Sequence, residues 1–303
     1  MASLKEVKNR IISVKSTRQI TSAMKMVASA KLHKVQEQIE NMLPYQQKLT
    51  QILTNFLRTD ATFQSVFTGQ RKVERVAIVA LASNSSLCGA YNANVAKRLS
   101  TVVEGYLKGI DREDIHLFPV GKKMEEAVRK MGFEPAVSLQ TLADKPTYSG
   151  AFNFAQRLMT GFAQGEFDQV VLLYHHFHSM GKQVLTEETY LPIDLSLLTD
   201  STDVAAGVGT TAANDAFSQT HDYIVEPGVS ELMAELIPKV LSQKIYTVLM
   251  DASASEHAAR TLAMQTATDN ANGLIQDLTK QYNKSRQQAI TNELLDIIGG
   301  SMK

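Results

Sequence analysis

The chain has 303 residues, of which 44% are hydrophobic and 20% are charged, and 31 Lys and Arg residues balance 31 Asp and Glu residues. This composition excludes a disordered chain and a fibrous repeat, and it is typical of a globular protein with one or two domains. The longest apolar runs, 76–82 and 170–174, are far shorter than the roughly 20 residues that a membrane-spanning helix needs. The sequence therefore predicts no transmembrane segment.

Apolar side chains recur at steps of three and four residues over 3–57, and this spacing predicts a long amphipathic helix. We expect the apolar stripe to pass through Ile20, Met24 and Val27. At 1.5 Å per residue the helix is roughly 80 Å long, so we expect much of it to project beyond a globular domain. Pro44 is its only interruption and predicts a kink.

The start of this helix is strongly basic, because the first 34 residues contain eight Lys or Arg residues and one acidic residue, Glu6. The eight form a basic guiding face: Lys5, Lys8, Arg10, Lys15, Arg18, Lys25, Lys31 and Lys34. Charge of one sign cannot be neutralised within the helix, so the pattern favours an acidic protein partner over nucleic acid. An organelle transit peptide is disfavoured because the pattern continues unbroken into the following helix.

Strand and helix patterns alternate in the middle of the chain. Strands are predicted at 74–83, 115–120 and 167–175, helices at 91–108, 122–131 and 152–162, and an added edge strand at 182–193. This alternation predicts a Rossmann-like α/β domain, with a mostly parallel sheet covered on both faces. An acidic flexible loop is expected at 199–222, which contains four Asp residues and no Lys or Arg.

A second long helix is predicted from 230 to 298, interrupted only by Pro238 and ended by Gly299 and Gly300. Its alanine-rich middle and the small side chains at 28–30 let two backbones approach closely. We therefore expect the terminal helices to pair as an antiparallel left-handed coiled coil, the alternative being two unconnected bundle helices. The predicted domains are 1–58 and 227–303 for the coiled coil, 72–195 for the α/β domain and 196–226 for the loop.

No motif in the sequence predicts catalysis, a cofactor or a metal site. The turn at 83–92 has one glycine and lacks G-x-G-x-x-G, the P-loop pattern is missing, and the glycines at 207–211 follow no strand. His176 and His178 share a strand face, but no nearby Cys or carboxylate completes a ligand set. Cys88 is the only cysteine, which excludes an intrachain disulfide and indicates a reducing compartment. Paired with His175, His176 or His178 across the sheet, Cys88 would be a nucleophile, although packing is the favoured role.

Several segments together resemble the gamma subunit of F-type ATP synthases. They are 11–32 (IISVKSTRQITSAMKMVASAKL), 86–92 (SLCGAYN), 255–260 (SEHAAR), 267–270 (ATDN), 282–293 (YNKSRQQAITNE) and 298–300 (IGG). They occur in order over both termini and the middle domain, so the resemblance covers essentially the whole chain.

The resemblance implies a non-catalytic central-stalk rotor. In that family the terminal helices turn inside a ring of three alpha and three beta subunits, and the lower part rests on the c-ring beside the epsilon subunit. Proton-driven rotation changes the beta sites in sequence, and the subunit also regulates ATPase activity. No cofactor, nucleic acid or small-molecule substrate is expected. The implied location is the cytoplasmic side of a bacterial plasma membrane, because the first five residues resemble members without a leader. Loop 199–222 has no cysteine, so the thiol switch of chloroplast members is not expected.

The resemblance also implies rotor–stator coupling residues. Met24 and Arg260 correspond to the shaft contact near the beta lever, Arg286 and Gln287 to contacts with the beta catch loop, and Thr291 and Glu293 to a supporting polar network. Two other hypotheses remain open at this point: a free-standing coiled-coil adaptor, and a Rossmann-like enzyme that uses Cys88.

Overall fold

The computed structural model describes residues 4–59, 65–69, 71–193, 225–226 and 228–301. The predicted loop 199–222 and the glycines at 207–211 lie outside the described residues. The chain divides into two compact units. Unit 1 contains the residues up to Ala30 and those from Arg260 onward, and unit 2 is Lys31–Ala259.

The described elements comprise helices and four strands. The α-helices are α1 (Leu4–Thr59), α2 (Tyr91–Tyr106), α3 (Lys122–Lys130), α4 (Gln140–Asp144), α5 (Tyr148–Gln164) and α6 (Val229–Ser301), with a 3₁₀ turn at Arg112–Asp114. The strands are β1 (Val76–Leu81), β2 (Ile115–Val120), β3 (Gln169–Ser179) and β4 (Lys182–Leu191). The prediction of an α/β fold with long terminal helices is confirmed.

Both long helices continue through residues that disfavour helix. α1 contains Pro44 and α6 contains Pro238. The expectation that Gly299 and Gly300 end the last helix is wrong, because α6 extends through both to Ser301. Glycine lowers the stability of a helix by only about 1 kcal/mol relative to alanine, so a pair of glycines does not by itself end one.

Unit 1 is an antiparallel pair formed by the start of α1 and the end of α6. Hydrogen bonds join Arg18 to Asn272 and Thr21 to Thr268, so residue numbers rise along α1 as they fall along the facing part of α6. The buried α1 positions here are Val7, Thr21 and Ala28, which fall on one heptad series.

The expected course of the apolar stripe in this segment is wrong. Ile20 and Val27 are 60% and 59% exposed, whereas the neighbouring Thr21 and Ala28 are buried. The reason is geometric, since a coiled-coil seam follows heptad spacing rather than the most apolar residue in each turn. Counting by sevens from Val7 arrives at Thr21 and Ala28.

Unit 2 contains the sheet, with strand order β2-β1-β3-β4. β1 pairs in parallel with β2 and β3, and β4 is an antiparallel edge strand beside β3. All six residues of β1 are buried, as expected for a parallel strand that is covered on both faces.

Successive β1 side chains enter two different hydrophobic clusters. Val76, Ile78 and Ala80 pack with residues of α2 and α3. Ala77, Val79 and Leu81 pack with α5 and with segments of α1 and α6 that belong to unit 2. The same segments of α1 and α6 meet in a third cluster, which contains Leu32, Val35, Met250, Ala254 and Ala258. The long helices are therefore part of the core of unit 2 as well as of the coil in unit 1.

Candidate coupling surface and central turn

The end of α6 carries four of the expected coupling residues, and all four are exposed: Arg286, Gln287, Thr291 and Glu293. The Thr291 hydroxyl donates to the Gln287 carbonyl at 2.9 Å, a bond within one helical turn. Large apolar side chains of the same segment are 49–67% exposed: Ile290, Leu294, Leu295, Ile297 and Ile298. If the coil register continues, α1 begins opposite residue 285 or 286, so no described part of α1 covers this apolar end.

Met24 and Arg260 both lie in unit 1, on opposite helices, and each is half-buried. Lys25, beside Met24, donates a hydrogen bond to Gln265. Met24 therefore lies at about the level of Gln265 along the coil. Arg260 is five residues from Gln265, or more than one helical turn. The two expected lever contacts therefore occupy different levels of the coil.

The basic guiding face consists of two kinds of residue. Six of its eight members are exposed on α1: Lys5, Lys8, Arg10, Lys15, Lys31 and Lys34. Arg18 and Lys25 are half-buried, and they donate to the side-chain amide oxygens of Asn272 and Gln265. The sequence could not distinguish these two cations from the rest, because that requires knowing which helix face meets α6.

The turn between β1 and α2 is organised by Asn92. Its Oδ1 accepts the Ser83 amide at 3.0 Å, and its Nδ2 donates to the Ser85 carbonyl at 3.3 Å and approaches Cys88 Sγ at 3.2 Å. Leu87 has a φ of 69°, a conformation that is uncommon for a residue other than glycine, and its side chain is exposed. The turn therefore presents a leucine at its surface, and sequence analysis did not anticipate the role of Asn92.

The enzyme hypothesis required Cys88 to meet a substrate and a histidine. Cys88 is 1% exposed, and the described partners of its sulfur are Ser83, Ser85 and Asn92. His175 instead stacks on Tyr91, with ring centroids 4.5 Å apart. Burial lowers the pKa of His175 to about 4, so its ring is neutral near pH 7. This arrangement gives the enzyme hypothesis no support.

His176, one of the two histidines considered as metal ligands, makes an ion pair. Its Nδ1 lies 2.6 Å from Asp251 Oδ2, which joins β3 to α6 within unit 2. A second ion pair joins β4 to α6, with Lys244 Nζ 2.8 Å from Glu188 Oε1, and the Tyr174 hydroxyl of β3 donates to the same carboxylate. Among the described ranges no group of three or more His, Cys, Asp or Glu residues could hold a metal ion.

The His176–Asp251 pair predicts a pH-dependent contribution to stability. The hydrogen bond to Asp251 raises the pKa of His176 above its ordinary value of 6.5, against the lowering effects of burial and of Lys244. The pair therefore makes its full contribution to the free energy of unfolding below pH 6.5, and this contribution is lost as the pH rises through the raised pKa of His176. Because the His176 side chain is 51% exposed, solvent screening limits the contribution to about 0–1 kcal/mol.

We expect His176→Gln to lower the free energy of unfolding at pH 6 and to have a smaller effect at pH 9. Urea unfolding of the full chain at both pH values measures this difference. His178→Gln is the matched control, because His178 is exposed on the same strand. An effect of His176→Gln that is equal at the two pH values would show that a charged pair between His176 and Asp251 does not contribute to stability.

These observations define a class of protein that combines an antiparallel coil of terminal helices with a four-stranded α/β sheet. The coil carries exposed cations and an exposed apolar end, and the buried Cys88 offers no open nucleophile. In the portion of the chain that is described, no helix is both long and apolar enough to cross a bilayer.

Comparison with known proteins identifies the family. A family model described as ATP synthase matches residues 3–302. The ATP synthase gamma chain of Bacteroides thetaiotaomicron is 61% identical over 303 residues and covers 100% of both chains. That of Flavobacterium psychrophilum is 39% identical over 302 residues, covering 99% of this chain and 98% of its own. The chain belongs to the ATP synthase gamma-chain family.

A solved structure shows the same fold at lower identity. A chain of the rotor of the Euglena gracilis mitochondrial ATP synthase is 20% identical, with a TM-score of 0.61, and the match covers 95% of this chain and 98% of that chain. At this identity the likeness concerns the fold alone. It includes the long terminal helices as well as the sheet, since nearly the whole of both chains is matched.

Proposed function

We propose that the chain is the central-stalk rotor of a bacterial F-type ATP synthase. The coiled coil turns within the ring of alpha and beta subunits, and the α/β domain contacts the c-ring and the epsilon subunit. Rotation driven by protons then changes the nucleotide affinity of the beta sites in sequence. The observation that carries this proposal is the antiparallel pairing of the terminal helices in a chain that matches gamma chains over its full length.

The surface of the coil suits a contact that must form and break in every turn. Exposed ion pairs contribute about 0–1 kcal/mol each, so the six exposed residues of the basic guiding face can guide the shaft past acidic surfaces without locking it. The exposed apolar end of α6, residues 290–298, has few charges and suits a loosely gripping sleeve of the ring. We assign Met24, Arg260, Arg286, Gln287, Thr291 and Glu293 to rotor–stator coupling.

The subunit contributes no catalytic group, and catalysis is carried by the beta subunits. The buried Cys88 thiol and the stacked, neutral His175 support this part of the proposal. The chain is peripheral to the membrane and lies on the cytoplasmic side of the bacterial inner membrane. We assign residues 1–58 and 227–303 to the rotor helices and residues 72–195 to the contacts with the c-ring and the epsilon subunit.

Co-purification tests the proposed assembly. When the chain is tagged and expressed with the alpha and beta subunits of its own organism, we expect a complex with one copy per three alpha and three beta subunits. The isolated chain should show no ATPase activity and no nucleotide binding by calorimetry. Micromolar nucleotide binding by the chain alone, or purification without alpha and beta, would contradict the rotor assignment.

A further inference from the structure

Three consecutive layers of the unit 1 coil are polar on both helices. The seam of α1 follows two heptad series, and Arg18, Thr21 and Lys25 are neighbouring members of them. Each meets a polar side chain of α6. We call the six residues the polar belt: Arg18, Thr21, Lys25, Gln265, Thr268 and Asn272. On α1, Val7 precedes the belt and Ala28 follows it, and both are buried apolar residues.

The central layer of the belt is a pair of threonines. Thr21 is buried, and its Oγ1 lies 2.8 Å from Thr268 Oγ1. Each hydroxyl also lies within hydrogen-bond distance of a carbonyl of its own helix, Thr21 at 3.1 Å from the Arg18 carbonyl and Thr268 at 2.8 Å from the Met264 carbonyl, so either threonine can be the donor between the helices. The contact joins one particular residue of each helix.

The outer layers pair a cation with an amide. Arg18 Nη1 donates to Asn272 Oδ1 at 3.4 Å, and Lys25 Nζ donates to Gln265 Oε1. The Gln265 amide is oriented by its other end, because Nε2 donates to Asp269 at 2.8 Å. The carboxylate thus turns the amide oxygen towards Lys25, and the layer has a defined geometry rather than a diffuse attraction.

Polar layers discriminate between registers more strongly than apolar layers do. An apolar side chain loses little if it meets a different apolar side chain one turn along. A shift of one turn would separate all three belt pairs at once, so each layer would lose its hydrogen bond between the helices. Polar residues at core positions are known to specify register in coiled coils at some expense in stability.

We propose that the polar belt is a register lock that prevents the two helices of the coil from sliding along each other. The six residues are positioning residues, since they act by aligning the helix surfaces and not by contacting nucleotide. The mechanical consequence rests on the proposed rotor function, because a two-helix shaft transmits torque only if its helices do not slip. The register itself is a property of the full chain and can be tested without the complex.

Disulfide trapping in the full-length chain measures the register. One heptad before the threonine pair, the antiparallel register places Val14 opposite Ile275, and Leu278 lies about one turn further along the seam. Val14→Cys is combined with Ile275→Cys as the register pair, or with Leu278→Cys as the shifted pair. Native Cys88 is buried, and mass spectrometry identifies any product that includes it.

In the parent chain we expect the register pair to oxidise at least about tenfold faster than the shifted pair, because three hydrogen bonds between the helices favour the parent register. In a belt-free chain, in which all six belt residues are replaced by apolar ones, the two rates should differ by less than about threefold. That chain carries Arg18→Leu, Thr21→Val, Lys25→Leu, Gln265→Leu, Thr268→Val and Asn272→Leu. Thr21→Ser with Thr268→Ser keeps both hydroxyls and should retain the parent ratio.

A belt-free chain that keeps the parent ratio would overturn the proposal, as would a parent chain that forms both disulfides equally fast. If the belt-free chain does not fold, Thr21→Val with Thr268→Val decides the matter, and its ratio should fall at least about threefold. Failure of the chain to assemble with alpha and beta would contradict the rotor function and leave the register result intact.

Discussion

Phe154→Ala is expected to lower the free energy of unfolding of unit 2 by about 3–5 kcal/mol. Phe154 lies on α5, is 5% exposed and packs against Phe118, with ring centroids 6.0 Å apart. Phe118 in turn meets Phe167 at 6.2 Å, so the substitution opens a cavity in a three-ring cluster on one face of the sheet. Urea unfolding followed by circular dichroism measures the loss.

Phe152→Ala is the matched control for this prediction. Phe152 is on the same helix, two residues away, and is only half-buried. The same side chain is removed in both variants, and the helix propensity changes equally. We expect Phe152→Ala to lower the free energy of unfolding by about 1 kcal/mol, because less apolar surface is lost from the interior. Equal losses for the two variants would show that Phe154 does not belong to a packed core.

Met24→Lys is expected to reduce proton-driven ATP synthesis about tenfold, whereas ATP hydrolysis by the complex stays within about twofold of the parent. Met24 is half-buried on the coil and carries no charge. A lysine there adds an ammonium group at a surface that must release its stator contact in every turn. Because position 24 is half-buried, an ionic contact there is screened less than one on the exposed face, and about 1.4 kcal/mol lost from each coupled step corresponds to a tenfold lower rate of synthesis. Hydrolysis at the beta sites does not draw on proton-driven rotation, so it persists. Synthesis and hydrolysis assays on membrane vesicles that contain the complex measure both activities.

Met24→Leu controls for the loss of the methionine itself, because it preserves size and polarity. We expect it to retain normal synthesis. Normal coupling in the Met24→Lys complex would remove Met24 from the coupling residues. A parallel loss of synthesis and hydrolysis would instead indicate failed assembly, which subunit composition of the purified complex would reveal.

Much of the fold could be predicted because its signals are local. β1 is a run of buried apolar residues, and the long helices show a repeat of three and four residues over many turns. α4 was missed, since a five-residue helix contains too few turns to show a periodic pattern. The end of α6 was also misplaced, because two glycines signal a helix end only on average.

The functional surface was harder to predict because it depends on which residues face each other across the coil. Following apolar residues led to Ile20 and Val27, whereas the seam passes through Thr21 and Ala28. Strict heptad counting from Val7 reaches Thr21, and counting from Leu4 reaches Arg18 and Lys25, so both series together indicate the polar layers on α1. The pairing of His176 with Asp251 left no such signal, since a contact between residues 75 positions apart has no local pattern.

Observation of rotation in single molecules tests the central claim most directly. Lys108→Cys provides an exposed thiol on the α/β domain, and the buried Cys88 allows selective attachment of a bead. With the alpha and beta ring fixed to a surface, we predict that ATP makes the bead turn continuously in one direction. A complex that hydrolyses ATP at the normal rate while a bead on this chain remains stationary would contradict the rotor account.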